Sequence, residues 1–478
     1  MTRWLGVAAF SIVLFAVACG HRSSHTSSAS ASFHASVQPV LERACSSCHM
    51  PGEAGAAHWQ LATAGDAAAD ASGIDTVTAP GYMPPWPASS RGSALSHPLT
   101  LSTSELRAIH DWASSGGKLD VPASTPLKPS KEAADQLPRR DLVLTRPDYL
   151  GSLDRPNDYR CFALDPKLDH PMYLTGYSFL SDQVAEIHHA LVFHVTATQR
   201  ARVPAVDGAD GKPGWQCYGG PGLGGGGAAG ESRVSALTGD VVAAWVPGQQ
   251  PAVFPEHSGI LMQPGDALVL QVHYHFDGKV TPDRSGLALQ LDPESSGVRP
   301  MRIVNPLAPV EIPCPAGATA PLCDRAASLA DYGRQYGLLG QFAEPVLLAS
   351  CGQSADQLQR AFDGHIARSS CTVRVPESGS IVTVFGHMHT LGKSFDMTLD
   401  PGGPHEQLLL DIPNWQFDWQ MSYSLAKPVR VSAGDRIRID CVWDRDRAPN
   451  RAPRYIVFAE GTEDEMCFGA YGLVTGST

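Results

Sequence analysis

The 478-residue chain lacks any surplus of positive charge: 36 Lys and Arg stand against 48 Asp and Glu, a formal net charge of -12. That balance provides no basic face and argues against a nucleic-acid partner. Long apolar runs are scarce as well. Beyond Trp4–Val17 no segment is long and apolar enough to span a bilayer, and that run is itself too short for a comfortable span. With Arg3 before it and Ala18-Cys19 after it, residues 1–19 read instead as an export signal.

Ala16-Val17-Ala18-Cys19 resembles a bacterial lipobox, in which Cys19 is lipidated and becomes the mature N-terminus. Ordinary signal cleavage beside an incidental cysteine is the alternative. Gly20 follows, rather than the Asp that retains lipoproteins at an inner membrane, so the expected place is the periplasm, anchored to the outer membrane of a Gram-negative bacterium. Ser/Ala/His-rich residues 20–34 then serve as a flexible tether. Export sets the redox state. Of 11 Cys, eight remain outside the signal and the motif described next, an even number consistent with four disulfides in an oxidising space.

Cys45-Ser46-Ser47-Cys48-His49 has the spacing of covalent haem attachment, two thiols for the porphyrin vinyl groups and His49 for the iron. A redox dithiol or half a zinc site is the plainer reading. Met83, in Pro80-Gly81-Tyr82-Met83-Pro84-Pro85-Trp86, sits in a Pro-stiffened loop suited to present a thioether as second axial ligand. His58, His97 and His110 are rivals, and a plain surface Met is the bland case. Ser102-Thr103-Ser104-Glu105 is a capping box, after which Leu106, Ile109, Trp112 and Ala113 fall at helical spacing until Gly116-Gly117. Residues 35–118 thus resemble a small all-α class I cytochrome c domain carrying one haem c. Pro-rich residues 119–145 read as a linker.

The length prior favours about three domains, and 46 Gly with 38 Pro point to short strands rather than long helices. From residue 146 the pattern is apolar strands broken by Gly and Pro: Ala190–Thr196, Ala267–Phe276, Ser380–Phe385, Val429–Val431 and Arg436–Trp443. Such spacing points to antiparallel sandwiches. The histidines cluster on these segments. His387 and His389, two apart, share one strand face and can grip one metal ion. His188 and His189 are consecutive, so both reach one ion only at a strand end or bulge. His273 lies in Leu270-Gln271-Val272-His273-Tyr274, with His275 as its substitute on the same face. Met466 adds a thioether, soft and suited to Cu(I). For His194, His257, His275, His365 and His405 an ordinary hydrogen-bonded role is the default.

This ordered series resembles the type II ascorbate-dependent copper monooxygenases, the family of the peptidylglycine α-hydroxylating and dopamine β-monooxygenases. The resemblance covers about 146–478. It includes Ala243-Ala244-Trp245-Val246-Pro247-Gly248, then Gly386-His387-Met388-His389-Thr390-Leu391-Gly392, then Trp415 and Trp419-Gln420. Gly434-Asp435 and Asp464-Glu465-Met466-Cys467 complete the set. It implies two copper ions in two jelly-roll-like all-β sandwich domains, 146–310 and 311–478, the second with an insertion near 315–363. By position His188, His189 and His273 match the electron-storing site, and His387, His389 and Met466 the dioxygen site. It also implies disulfides Cys161–Cys217 and Cys441–Cys467. Cys371 stands where the family has a half-cystine whose distant partner is missing here, so Cys351 is its expected partner, and Cys314–Cys323 closes a local loop.

The implied reaction inserts one atom of dioxygen into a substrate C–H bond and makes water from the other. The family draws its electrons from ascorbate. The fused haem points instead to a periplasmic donor passing electrons through haem to the storing copper, with electron acceptance or redox sensing by the haem as the alternatives. Phe385 replaces the arginine that grips a peptide carboxylate in the amidating enzyme. Phe468 and Ala470 replace an asparagine and a tyrosine. The expected substrate is therefore a small molecule other than a C-terminal glycine peptide, in a more apolar pocket to which Tyr471 can still offer a hydroxyl. Two other classes remain: a non-catalytic copper- and haem-binding electron-transfer lipoprotein, and a zinc-stabilised sandwich.

Overall fold

In this computed structural model the described residues are 31–51, 54–57, 59–128, 137–155, 157–224, 241–245, 251–255 and 257–475. Cys19, His58, most of the tether and Val246-Pro247-Gly248 lie outside them. Among the described residues strand makes up 34% and helix 22%.

The N-terminal part is helical in short pieces: Phe33–Val37, Gln38–Ala44, Ser46–His49, Ala64–Ala69, Ala71–Thr78 and Thr103–Ser114. The last begins where its sequence sets it. Ser102 accepts from the Glu105 N–H, and the Glu105 carboxylate accepts from the Ser102 N–H at 2.7 Å. Phe33, Leu41, Ile74, Ile109 and Trp112 are buried together. The expectation of a distinct small all-α cytochrome domain nevertheless fails. The longest of these helices has 12 residues, and the segment between them does not close on itself. Residues 82–96 run out as a strap along the C-terminal half. Ser93 N–H donates to Leu409 O at 3.3 Å, Ser96 N–H to Ser424 O at 2.8 Å, and Ala426 N–H returns to Ala94 O at 2.8 Å. Trp86 packs edge-on against Tyr423 at 5.0 Å and Tyr82 against Trp419 at 5.5 Å. Backbone polar groups on a sheet edge must find partners, and this strap supplies them.

The expectation of two separate antiparallel sandwiches also needs correction. A single ten-stranded sheet runs through both halves. Its join is a parallel pair, Ser258–Met262 with Arg299–Val304, and the second of these pairs antiparallel with Cys467–Val474. Arg299–Val304 therefore serves as a common strand, which two self-contained sandwiches do not have. Two smaller sheets cover this long one. The five-stranded sheet containing Asn157–Leu164, Ile187–Val195 and Ala267–His275 encloses an apolar core with Leu174, Tyr177, Leu287 and Leu289. The four-stranded sheet containing Gly392–Leu399 and Arg436–Asp444 encloses a second with Ile381, Val384, Tyr423 and Leu473.

Between the halves lies a helical stretch, Arg325–Ser350, broken at Gly337 (φ +67°), followed by Ala355–Ala361. Four disulfides are formed: Cys161–Cys217, Cys314–Cys323, Cys351–Cys371 and Cys441–Cys467. No helix among the described residues is long and apolar enough to cross a membrane.

Candidate metal centres

His189 and His273 are directly opposed residues on neighbouring antiparallel strands. The register slips between Ile187 and His189, so His188 is the extra residue of a bulge. That bulge removes the alternation that would send His188 and His189 to opposite faces. The three imidazoles converge: ring centroids are 4.8 Å apart for His188–His273, 4.9 Å for His189–His273 and 5.3 Å for His188–His189. One nitrogen from each lies within 4.8 Å of the other two.

At this cluster a side-chain amide orients one of the rings. His273 Nε2 contacts Asn157 Oδ1 at 3.2 Å, which also reaches His275 Nδ1 at 3.1 Å. His273 Nδ1 is buried with no hydrogen-bond partner. An orphaned buried nitrogen costs free energy unless something fills it, and a metal ion is the group this donor set fits. Tyr159 stacks flat on the His273 ring at 4.1 Å and 10°. Burial holds His188 below its ordinary pKa and His189 and His273 well below theirs, the charge of a neighbouring imidazole adding to the effect. All three are thus neutral, as ligation requires.

The second cluster ends the strand Gly379–His387. His387 and His389 have ring centroids 5.0 Å apart. The loop 413–422 wraps them. Gln420 Oε1 bonds His387 Nδ1, Gln420 Nε2 donates back to Phe417 O at 2.8 Å, and Trp415 Nε1 donates to His389 O at 3.1 Å. His389 Nδ1 contacts Asp464 O at 3.1 Å. Both rings therefore keep Nε2 for another partner. Burial pulls His387 down to about 4 and His389 well below its ordinary value. The glycines flanking the pair are steric requirements. A Cβ on Gly386 would come within 2.4 Å of the Phe395 ring, and one on Gly392 within 2.5 Å of Trp415.

Met466 is buried and stands one residue before the strand Cys467–Val474, whose ladder with the His387 strand ends at the His387–Phe468 pair. The residue before it is bonded to the His389 segment. Glu465 accepts from His389 N–H at 2.9 Å, Leu391 N–H at 2.6 Å and Trp443 Nε1 at 3.0 Å. Burial raises its carboxyl to about 8 against the pull of those donors. The residue after Met466 is tied by Cys441–Cys467.

The two clusters face each other. Phe417 stacks on His188 at 5.4 Å and stands edge-on to His389 at 6.2 Å. One flank of His387 is apolar: Phe385 lies 6.3 Å and Phe468 6.2 Å from its ring. Phe417, Asn157 and Tyr159 were missed by sequence reasoning. The aromatic density around Trp415 and Trp419 was the signal that could have found Phe417.

The other expected residues are spread differently. Cys45 and Cys48 are not disulfide-bonded, and burial first, then the Cys48 charge, pushes Cys45 up to about 12. His49 is buried, its Nδ1 2.9 Å from Trp59 O. Met83 lies in the strap beside Tyr82. His110 is engaged by Asp75 at 3.1 Å, and His194 by Asp266 at 2.8 Å. His365 contacts Asp446 at 3.0 Å.

Residues 355–471 match the family model of the copper type II ascorbate-dependent monooxygenase C-terminal domain. The match spans His387, His389 and Met466, and supports that family and copper-dependent monooxygenase function in general. No curated protein matches the chain. Among solved structures, an allantoicase is 9% identical with a TM-score of 0.15, covering 65% of this chain and 80% of its own. A Paenibacillus xanthan lyase is 12% identical with a TM-score of 0.16, covering 77% of this chain and 29% of its own. The infectious bursal disease virus VP2 particle is 10% identical with a TM-score of 0.15, covering 70% and 77%. Likeness at this level carries no argument.

Proposed function

We propose that the chain is an exported copper-dependent monooxygenase that hydroxylates a C–H bond of a small apolar molecule with dioxygen. One observation carries the reading: a cluster of three imidazoles and a cluster of two face each other across the single ring of Phe417. His188, His189 and His273 would hold one copper, and His387, His389 and Met466 the other. Bound there, copper supplies one-electron redox steps and a place for dioxygen to be reduced.

The chain's own residues do the rest. Gln420 and the Asp464 carbonyl orient His387 and His389 through their Nδ1 atoms, leaving Nε2 for the metal. The Met466 thioether is a soft donor and favours Cu(I). Phe417 excludes water from the gap between the clusters. Phe385 and Phe468 offer apolar surface beside His387, with no charged group in that pair to bind a carboxylate.

A covalent haem on Cys45 and Cys48 is the second element of the proposal. These two cysteines stand outside the four disulfides that join the other described cysteines. Through Nδ1 and Trp59 O, His49 is held with Nε2 available for iron. The strap leads from this segment toward the second cluster, through Tyr82 on Trp419 and then Gln420 on His387. Electrons from a periplasmic donor would enter on that side. Residues 1–19 and the four disulfides support export, with Cys19 as the lipid anchor.

Metal and haem analysis of periplasm-matured protein, followed by oxygen uptake with small aromatic and aliphatic compounds, tests the proposal. Two coppers, one haem and substrate-stimulated uptake are expected. Zinc in place of copper overturns it. Copper-loaded protein with no stimulated uptake across the panel leaves the electron-transfer reading instead.

A further inference from the structure

The segment 459–465, which leads into Met466, runs along the seam between the halves and makes few bonds of its own. Ala459 N–H donates to Glu465 O at 3.1 Å and Asp464 N–H to Gly461 O at 2.8 Å. Three tyrosines from elsewhere satisfy other polar groups of this segment. Tyr159, on strand Asn157–Leu164, donates its hydroxyl to Glu460 O at 3.0 Å. Tyr218, two residues beyond strand Trp215–Gln216, accepts at its hydroxyl oxygen from Glu460 N–H and from Gly461 N–H, the latter at 3.1 Å. Tyr336, at the break in the helical stretch, donates to Asp464 Oδ2 at 2.9 Å, and the same oxygen accepts from Gly461 N–H at 3.1 Å.

The three rings also form a column. Tyr159 meets Tyr218 edge-on at 5.3 Å, and Tyr218 stacks on Tyr336 at 4.0 Å and 6°. At one end Tyr159 lies flat on His273. At the other, Asp464 receives the Tyr336 hydroxyl on its carboxylate and contacts His389 Nδ1 through its carbonyl. An unbroken run of contacts thus joins an imidazole of the first cluster to one of the second. It passes through two side chains, Tyr218 and Tyr336, that touch neither cluster.

From this we infer that Tyr218 and Tyr336 are positioning residues, clasping the two halves so that the Met466 segment stands in ligating register with His389. The inference rests on the two-copper reading for its metal readout. The physical need is clear: an unbranched thioether side chain has several rotatable bonds and a weak donor, so its backbone must be held from outside. Tyr336 belongs to the 315–363 stretch, which gives that stretch a role in the second cluster without touching it.

Two measurements test the clasp. In the metal-free full chain, Tyr218→Phe keeps the ring stack and deletes only the hydroxyl, so the Glu460 and Gly461 amides should exchange about tenfold faster with deuterium. In the copper-loaded, reduced chain, Tyr336→Leu should lose the copper–sulfur component of X-ray absorption while still binding copper at the three-histidine cluster. Tyr336→Phe, which keeps the stack, should retain most of it. Unchanged exchange in Tyr218→Phe together with intact copper–sulfur scattering in Tyr336→Leu overturns the inference. If Tyr336→Leu fails to fold, the Tyr218→Phe exchange result decides by itself. Should wild-type protein bind no copper, the proposed function fails, while the metal-free exchange still reads the clasp.

Discussion

Phe417 stacks on His188 across the seam between the halves, ring centroids 5.4 Å apart and planes 30° apart. A half-buried ring placed this way fills the gap between the clusters rather than the core. Phe417→Ala should cost only about 1–2 kcal/mol of stability and leave copper binding intact. Water would then enter between the sites. We expect the peroxide released per dioxygen consumed to rise several-fold, measured by coupled oxygen-electrode and peroxide assays. An unchanged ratio removes the gap-filling role.

Met466→Leu conserves volume and apolarity while deleting the sulfur. Its cost should stay below about 1.5 kcal/mol, read as a small change in the denaturation midpoint. The first cluster should bind copper as before. At the second, Cu(I) affinity should fall by at least about tenfold, since a soft donor is lost. Unaltered Cu(I) affinity at both sites would show that the thioether is not a ligand.

A pair of carboxyls beneath the strap gives the protein a pH dependence. Asp396 packs against Asp411, which also receives Ser89 and lies 3.6 Å from Arg91. Burial first, then its hydrogen bond to Asp411 and the Asp411 charge, push Asp396 up to about 7 from 3.8. A carboxyl raised on folding keeps its proton better in the native state. Its stabilising contribution is full below about pH 4 and is lost as pH rises through about 7. The denaturation midpoint should therefore fall between pH 5 and 8, and Asp396→Asn should flatten the profile in that window. A wild-type profile rising with pH there would contradict the assignment.

Cys441–Cys467 closes a loop with a sequence separation of 26 residues and anchors the neighbour of Met466 to the strand Arg436–Asp444. Replacing both cysteines by alanine should cost about 3 kcal/mol. Copper should leave the second cluster before the first when the variant is titrated with a chelator, followed by X-ray absorption. Simultaneous loss from both would mean that the bridge stabilises the fold without serving the site.

Local features were legible in the residues. The Ser102–Glu105 capping box sets a helix start because its partners are three residues apart. The strand bearing His387 is visible because its alternation is a property of consecutive residues. The consecutive pair His188-His189 required a bulge if both were to face one ion, and a bulge stands there. An insertion near 315–363 was expected from the resemblance, although its role beside Asp464 was not. The strap, by contrast, bonds Ser93 to Leu409, more than 300 residues away, and nothing in the composition of either segment names the other.

By itself the sequence determined which atoms are available: five imidazoles and a thioether in the second part of the chain, two closely spaced cysteines beside a histidine, and eight more cysteines in a chain with an export-like start. Only the tertiary structure decided that a common strand fuses the halves into one long sheet, that Phe417 stands between the histidine clusters, and that three tyrosines hold the Met466 segment. Donor chemistry and periodicity belong to neighbouring residues, whereas the pairing of distant sheet edges is settled by which surfaces bury together when the whole chain packs.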